Sequence, residues 1–245
     1  MDKSISVVVP IYNSSRTIEQ LVKRLFNTLE EIATDFEIIM VDDGSRDNSF
    51  DEMKKAYISK ENIKIIKLQG NYGQQNAIIC GIAASEKDLV VTIDDDLQYP
   101  PEEISKLLLK LEEGYDVVYG IPKDKKHSRL RNMGTKMTDL LFRVLYNKPK
   151  NIQISSFRII RAEVVKTIVL NKEAFVYISA LTFKTTKNIA NVSVSHNARE
   201  IGQSNYSLYK LLKLYFNILI YYSERIDLSF LKSGKTQFVV EKKYV

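Results

Sequence analysis

Apolar and polar positions in the first 120 residues alternate between two periods. Short runs rich in β-branched residues suit strands buried on both faces of a parallel sheet, and between them apolar residues recur at helical spacing. The first run, Ile5-Ser-Val-Val-Val-Pro10, predicts a strand over 4–10 followed by a turn at 11–13. Ile18, Leu21, Val22, Leu25, Leu29 and Ile32 then mark one face of a helix that Ser14 or Ser15 can cap. Further strands are expected over 36–41, 62–68, 89–93 and 116–120. The helices between them are one capped by Asp47 or Asn48, one running from Ala77 to Ala84, and one over 101–113 that Pro100 and Pro101 open. The alternation predicts an α/β fold built on a Rossmann-like, doubly wound, mostly parallel sheet, with the loops after its strands gathered on one edge.

Past Pro122 the pattern loosens. A helix over 130–146, a strand over 152–160, a short helix from Arg161 and a strand over 191–196 are expected, then a polar loop over 199–206. The last helix, 208–224, confines Lys210, Lys213, Asn217 and Glu224 to a narrow stripe and is otherwise mostly apolar. So wide an apolar face fits packing on the domain, a homodimer contact or peripheral membrane contact.

With 245 residues, 44% of them apolar, the chain can bury the core of one large domain or two small ones. Its single cysteine, Cys80, excludes a disulfide scaffold, and two histidines, His127 and His196, exclude a multi-histidine metal site. The opening residues lead into a strand without the look of a signal peptide. The longest apolar window, 214–222, falls short of the roughly 20 residues a bilayer requires, so the expected location is cytoplasmic, including the inner face of the membrane. The formal charge of +6 is uneven: 123–150 holds nine basic residues against Asp124 and Asp139. Such an excess favours an anionic partner or a solvated helix face.

The candidate chemistry lies at two strand ends. Asp42-Asp43-Gly44-Ser45 follows the second strand, and Asp94, Asp95 and Asp96 follow the fourth, where open α/β sheets bind ligands. Three adjacent carboxylates repel one another unless a cation offsets them. Mg²⁺ or Mn²⁺ prefers carboxylate oxygen and keeps positions open for substrate phosphates. A solvated acidic loop is the alternative.

Four ordered motifs, Val7-Val-Val-Pro-Ile-Tyr-Asn13, Val41-Asp-Asp-Gly-Ser45, Asn71-Tyr-Gly73 and Asp94-Asp-Asp-Leu-Gln-Tyr-Pro-Pro-Glu102, resemble the family 2 glycosyltransferases of GT-A fold. The likeness spans roughly 5–206 and is strongest to the branch of dolichol-phosphate mannose synthase and the bacterial polyprenyl-phosphate sugar transferases. It implies a GT-A domain over 1–206, with a nucleotide-sugar half to residue 120 and an acceptor half beyond, followed by an amphipathic helix and tail over 207–245. The implied donor is a UDP- or GDP-linked sugar. Pro10, Tyr12 and Asp43 would line its base and ribose pocket, Asp42 would support that loop, and Gly73 and Gln74 would close over the nucleotide. Asp94 and Asp96 would touch ribose and hold Mg²⁺ or Mn²⁺ on the diphosphate, Gln98 would sit beside the sugar, and Arg199 with Ser204 would reach the diphosphate. Arg129, Arg131 and Arg158 would receive an acceptor phosphate.

The resemblance favours a polyprenyl phosphate acceptor, with a glycan or soluble hydroxyl acceptor as the alternative. A hydroxyl acceptor needs a carboxylate base, for which Asp139 and Glu200 are candidates. Two positions depart from the family's pattern. Ser14 replaces an acid after Pro-x-Tyr-Asn, and Ile154-Ser-Ser-Phe-Arg158 lacks the acid that often precedes Phe-Arg. A third departure is that 234–241 looks like the tail that follows a membrane hairpin, with the hairpin missing, which predicts a soluble or peripheral enzyme. A receiver-like module could reuse Asp42, Asp43, Asp94 and Lys148-Pro149 but leaves Asp95 and Asp96 without a task. A nucleic-acid partner is not expected, because the ordered acidic motifs oppose it.

Overall fold

The structure is a computed structural model and describes residues 3–123, 139–197, 208–223 and 228–245. Eight strands form one sheet in the order β7-β5-β6-β4-β1-β2-β3-β8. In chain order they are β1 (Ser4–Ile11), β2 (Asp35–Asp42), β3 (Ile63–Leu68), β4 (Leu89–Thr92), β5 (Val117–Pro122), β6 (Arg158–Arg161), β7 (Ile189–Val194) and β8 (Val240–Tyr244). The helices are α1 (Ile18–Ile32), α2 (Ser49–Ser59), α3 (Gln74–Ala83), α4 (Ile104–Leu111), α5 over 139–146, α6 (Ala162–Ile168), α7 (Ile178–Thr185) and α8 (Leu208–Tyr222).

β1 lies at the centre because its run is apolar on both faces. Val7 and Val9 pack into the layer holding α1 and α4, while Val8 faces the layer holding α3, α7 and α8. It pairs in parallel with β2 and β4, and β2 pairs in parallel with β3. The shared strand direction brings the carboxyl ends of β1, β2 and β4 to one edge, which carries the aspartates at 42–43 and 94–96. α3 approaches β1 closely: a methyl group at Gly81 would stand 2.4 Å from Val8 Cγ1.

Several expectations are corrected. The strand expected over 152–160 is confined to Arg158–Arg161, and it runs antiparallel between β4 and β5. The residues before it give their backbone groups to side chains instead of a ladder. Lys148 Nζ binds the Ile152 carbonyl, Asn191 brackets Gln153, and the Phe157 amide donates to Ser155 Oγ. The expected helix over 101–113 opens as a 3₁₀ turn, Pro101–Glu103, and becomes α-helical from Ile104. α1 starts at Ile18 with Thr17 at the N-cap position, so neither Ser14 nor Ser15 caps it, and the Ser14 hydroxyl donates to Asp95 instead. The tail supplies an eighth strand, β8, antiparallel to β3. Its charged residues, Val240-Glu-Lys-Lys-Tyr244, suit an edge strand, where charge discourages further pairing.

α8 packs Tyr215, Ile218 and Tyr222 onto the domain and leaves Leu212 and Phe216 outward. Among the described residues no helix is long and apolar enough to cross a membrane.

Candidate functional site

The acid cluster stands where β4 ends. Leu97, buried and in the left-handed region at φ 58°, turns the chain sharply after Asp96. A non-glycine residue held there costs on the order of 1–3 kcal/mol, a strain that surrounding packing must sustain and that concentrates at functional sites. The turn brings the Gln98 amide to Asp96 Oδ1 at 3.2 Å.

The three carboxylates face different partners. Asp94 accepts from Gln74 Nε2 at Oδ1 and from Ser156 Oγ at Oδ2, both at 2.6 Å. Burial pushes its carboxyl above the usual range and the charge of Asp96 adds to this, while the Ser156 and Gln74 hydrogen bonds and the nearby Arg158 oppose it. Asp95 turns back toward the β1 loop, accepting from the Tyr12 amide at 3.1 Å and Ser14 Oγ at 2.5 Å. Burial raises its carboxyl to about 6 despite those two bonds.

The second acidic loop braces the segment between β3 and α3. Asp43 Oδ1 accepts from the Tyr72 amide at 2.7 Å, and Oδ2 from the Gly73 amide at 2.9 Å. Burial again raises its carboxyl to about 6, against the two amides that lower it. A carboxyl raised in this way ionises later in the folded protein than in the open chain. Its stabilising contribution is therefore complete near pH 4 and lost as pH rises through 6. At neutral pH the ionised form of each group therefore carries an uncompensated cost of burial, which a nearby cation would reduce.

Asp42 is fully buried; its Oδ1 accepts from the Ser45 amide at 3.0 Å and its Oδ2 has no hydrogen-bond partner. Gly44 packs directly against the facing loop. Its φ is +72°, and a Cβ would stand 2.6 Å from the Gly70 carbonyl carbon and 2.7 Å from the Asn71 nitrogen. Backbone atoms cannot yield as a side chain does. Gly44→Ala is therefore expected to cost about 2 kcal/mol or more and to loosen the loop that Asp43 holds. Chemical denaturation would check the first effect and nucleotide affinity the second.

The family model described as Glycosyl transferase family 2 matches residues 6–169. The chain belongs to glycosyl transferase family 2. This family 2 enzyme also superposes on solved structures of glucosyl-3-phosphoglycerate synthase from Mycobacterium tuberculosis. The complex of that synthase with Mn²⁺, UDP and glucosyl-3-phosphoglycerate gives a TM-score of 0.67 at 20% identity, covering 89% of this chain and 78% of that one. Its complex with Mn²⁺, UDP-glucose and phosphoglyceric acid gives 0.67 at 19% identity, again over 89% and 78%. The same synthase without named ligands gives 0.65 at 20% identity and the same coverage. The shared fold is the mostly parallel α/β sheet of the GT-A type.

Within the family 2 frame, most of the residues singled out from sequence converge. Pro10 and Tyr12 at the end of β1, Asp42 and Asp43 at the end of β2, Gly73 and Gln74 at the start of α3, and Asp94, Asp96 and Gln98 after β4 share one sheet edge. Arg129, Arg131, Arg199, Glu200 and Ser204 lie outside the described residues.

Arg158 is a correction. Rather than facing an acceptor, it is 1% exposed, donates from Nε to Thr92 Oγ1 and from Nη1 to Ser179 Oγ, and lies 5.5 Å from the Tyr119 ring centre. Pairing of β4 with β6 sets Arg158 opposite Thr92, so its side chain enters the core behind the acids. Asp139 is likewise committed, bridging Arg143 and the buried Lys148. Two contributors escaped sequence reasoning. Ser156 holds Asp94 from 62 residues away, and the Ser14 hydroxyl explains where Asp95 points. In both cases the signal was present as a departure from the family's acidic pattern.

Among the described residues no three His, Cys, Asp or Glu side chains form a closed metal cage. Asp94 and Asp96 nonetheless fit a hard divalent cation, since two carboxylates plus phosphate oxygens and water are a usual Mg²⁺ or Mn²⁺ environment.

Proposed function

We propose that the chain is a divalent-metal-dependent glycosyltransferase that takes its sugar from a uridine diphosphate sugar and gives it to a soluble acceptor. The observation that carries this reading is the Asp94 and Asp96 pair, held at the sheet edge beside a nucleotide loop that Asp43 braces from below. When bound, Mg²⁺ or Mn²⁺ would neutralise charge on the departing diphosphate. Gln74 holds Asp94 by a hydrogen bond, Asp95 ties the Tyr12 loop to the acid cluster, and Gln98, two residues past Asp96, would sit beside the sugar. Arg199 and Ser204, outside the described residues, would add donors to the diphosphate.

Uridine is favoured over guanosine because the similar solved structures carry UDP or UDP-glucose with Mn²⁺. Their acceptor is phosphoglyceric acid, which favours the soluble acceptor over the polyprenyl phosphate suggested by sequence resemblance. The test is thermal unfolding with UDP, GDP and dTDP, each with and without Mn²⁺. A ligand at 100 times its dissociation constant adds about 2.7 kcal/mol, a rise of roughly 5–10 °C for a chain of this size. Metal-dependent stabilisation by UDP is expected. No shift with any nucleotide would reduce the assignment to fold alone.

A further inference from the structure

Beside the acid cluster lies a cavity of about 510 Å³ that shares Gly73 and Gln74 with the nucleotide reading and is otherwise unassigned by it. One wall is the start of α3, one is the segment before α7, and the others are α8 and the tail around Lys235–Gln237. Gln74 lies on the boundary: it lines the cavity and donates to Asp94. Anything bound there is therefore one side chain away from the acids.

The walls are stapled together. Asn76, only 9% exposed, donates from Nδ2 to the carbonyls of Tyr72, Ala174 and Gln237, touching three of the four walls. Gln237 Nε2 in turn donates to the carbonyls of Asn171 and Glu173, and the Ser233 amide donates to Tyr221 Oη. Hydrogen bonds that cross between walls in this way hold the cavity's shape.

Its charge is one-sided. Lys213 and Lys235 line it, and among the described residues no acidic side chain does. Neither lysine reaches a carboxylate among the described residues, whereas Lys3, Lys64, Lys106 and Lys148 each do. Glu173 behind the wall is neutralised by Lys232 at 2.6 Å. Two unmatched lysines in a concave, hydrogen-bond-rich pocket complement a phosphate monoester, which carries about −1.5 to −2 charges at pH 7.

We propose that this cavity seats the phosphate of the acceptor, with Lys213 and Lys235 as its charge partners and the Gln74 side of the cavity opening toward the donor sugar. The proposal rests on the glycosyltransferase reading above and adds to it the acceptor's chemical class. The shared chemistry is a phosphate monoester, free or at the head of a lipid.

Isothermal titration of the full chain with 3-phosphoglycerate, and separately with a short polyprenyl phosphate in neutral detergent, tests it. The proteins compared are the wild type, Lys213→Ala/Lys235→Ala, and Lys213→Arg/Lys235→Arg. At least one ligand should bind the wild type, tenfold or more weakly to the alanine pair, and within about threefold of wild type to the arginine pair. The ligand that binds identifies a soluble or lipid source. UDP with Mn²⁺ should bind all three proteins within twofold, so loss of UDP binding in the wild type would indict the donor assignment and leave the phosphate measurement readable. Binding of neither phosphate ligand, or equal binding by the alanine pair, would overturn the proposal. The alanine variant must melt with the wild type, as expected for two exposed lysines.

Discussion

Turnover in Asp96→Asn is expected to fall by about 10²–10³-fold or more, with folding intact. The amide keeps an oxygen to accept the Gln98 amide, so the tight turn through Leu97 retains its hydrogen bond. What disappears is the negative charge that would hold a cation on the diphosphate, and stabilisation of developing charge is commonly the largest catalytic term. The measurement is initial rate of sugar transfer or donor hydrolysis with saturating Mn²⁺, alongside a melting curve to confirm the fold. Wild-type turnover by this variant after metal depletion would sink the cation assignment, because neither the carboxylate nor its metal would then be needed.

The second large effect concerns stability. Arg158→Ala is expected to cost about 3–5 kcal/mol, a drop in melting temperature on the order of 10 °C. The residue is among the largest fully buried side chains, and its loss takes a donor from Thr92 and Ser179, leaves a large cavity and removes the positive charge behind Asp94. Arg158→Lys keeps the charge but cannot reproduce the forked contacts, so an intermediate loss is expected. Calorimetry or denaturant titration decides the matter. If the alanine variant melts with the wild type, the guanidinium is not committed to the interior, and a surface role toward an acceptor phosphate becomes tenable again.

The contrast between these two residues shows what sequence could and could not convey. β1 to β5 were legible because continuous β-branched runs and helical spacing are local signals, and the position of Asp94 and Asp96 follows from where β4 stops. Arg158 was misread because the resemblance placed it, after Phe157, in the acceptor half as a phosphate-binding residue. Only the antiparallel insertion of β6 beside β4 reveals that its side chain points inward. Ser14 and Ser156 were visible only as missing acids. Their hydroxyls acquire meaning when chain segments 81 and 62 residues apart meet at Asp95 and Asp94. β8 was illegible for a further reason. Its charged residues carry no strand-like alternation of burial, and pairing with β3 comes from the free edge that β3 presents.

The residues leading into that last strand reach back to the start of α3 and the end of β3. The Gln237 carbonyl reaches Asn76 across 161 residues of sequence, and the Val239 carbonyl accepts from the Gln69 amide at the end of β3. Removing residues 237–245 would take these backbone partners from Asn76 and Gln69 and one wall from the cavity beside α3. The start of α3, and with it the Gln74 contact to Asp94, thus leans on a segment 161 residues further along the chain.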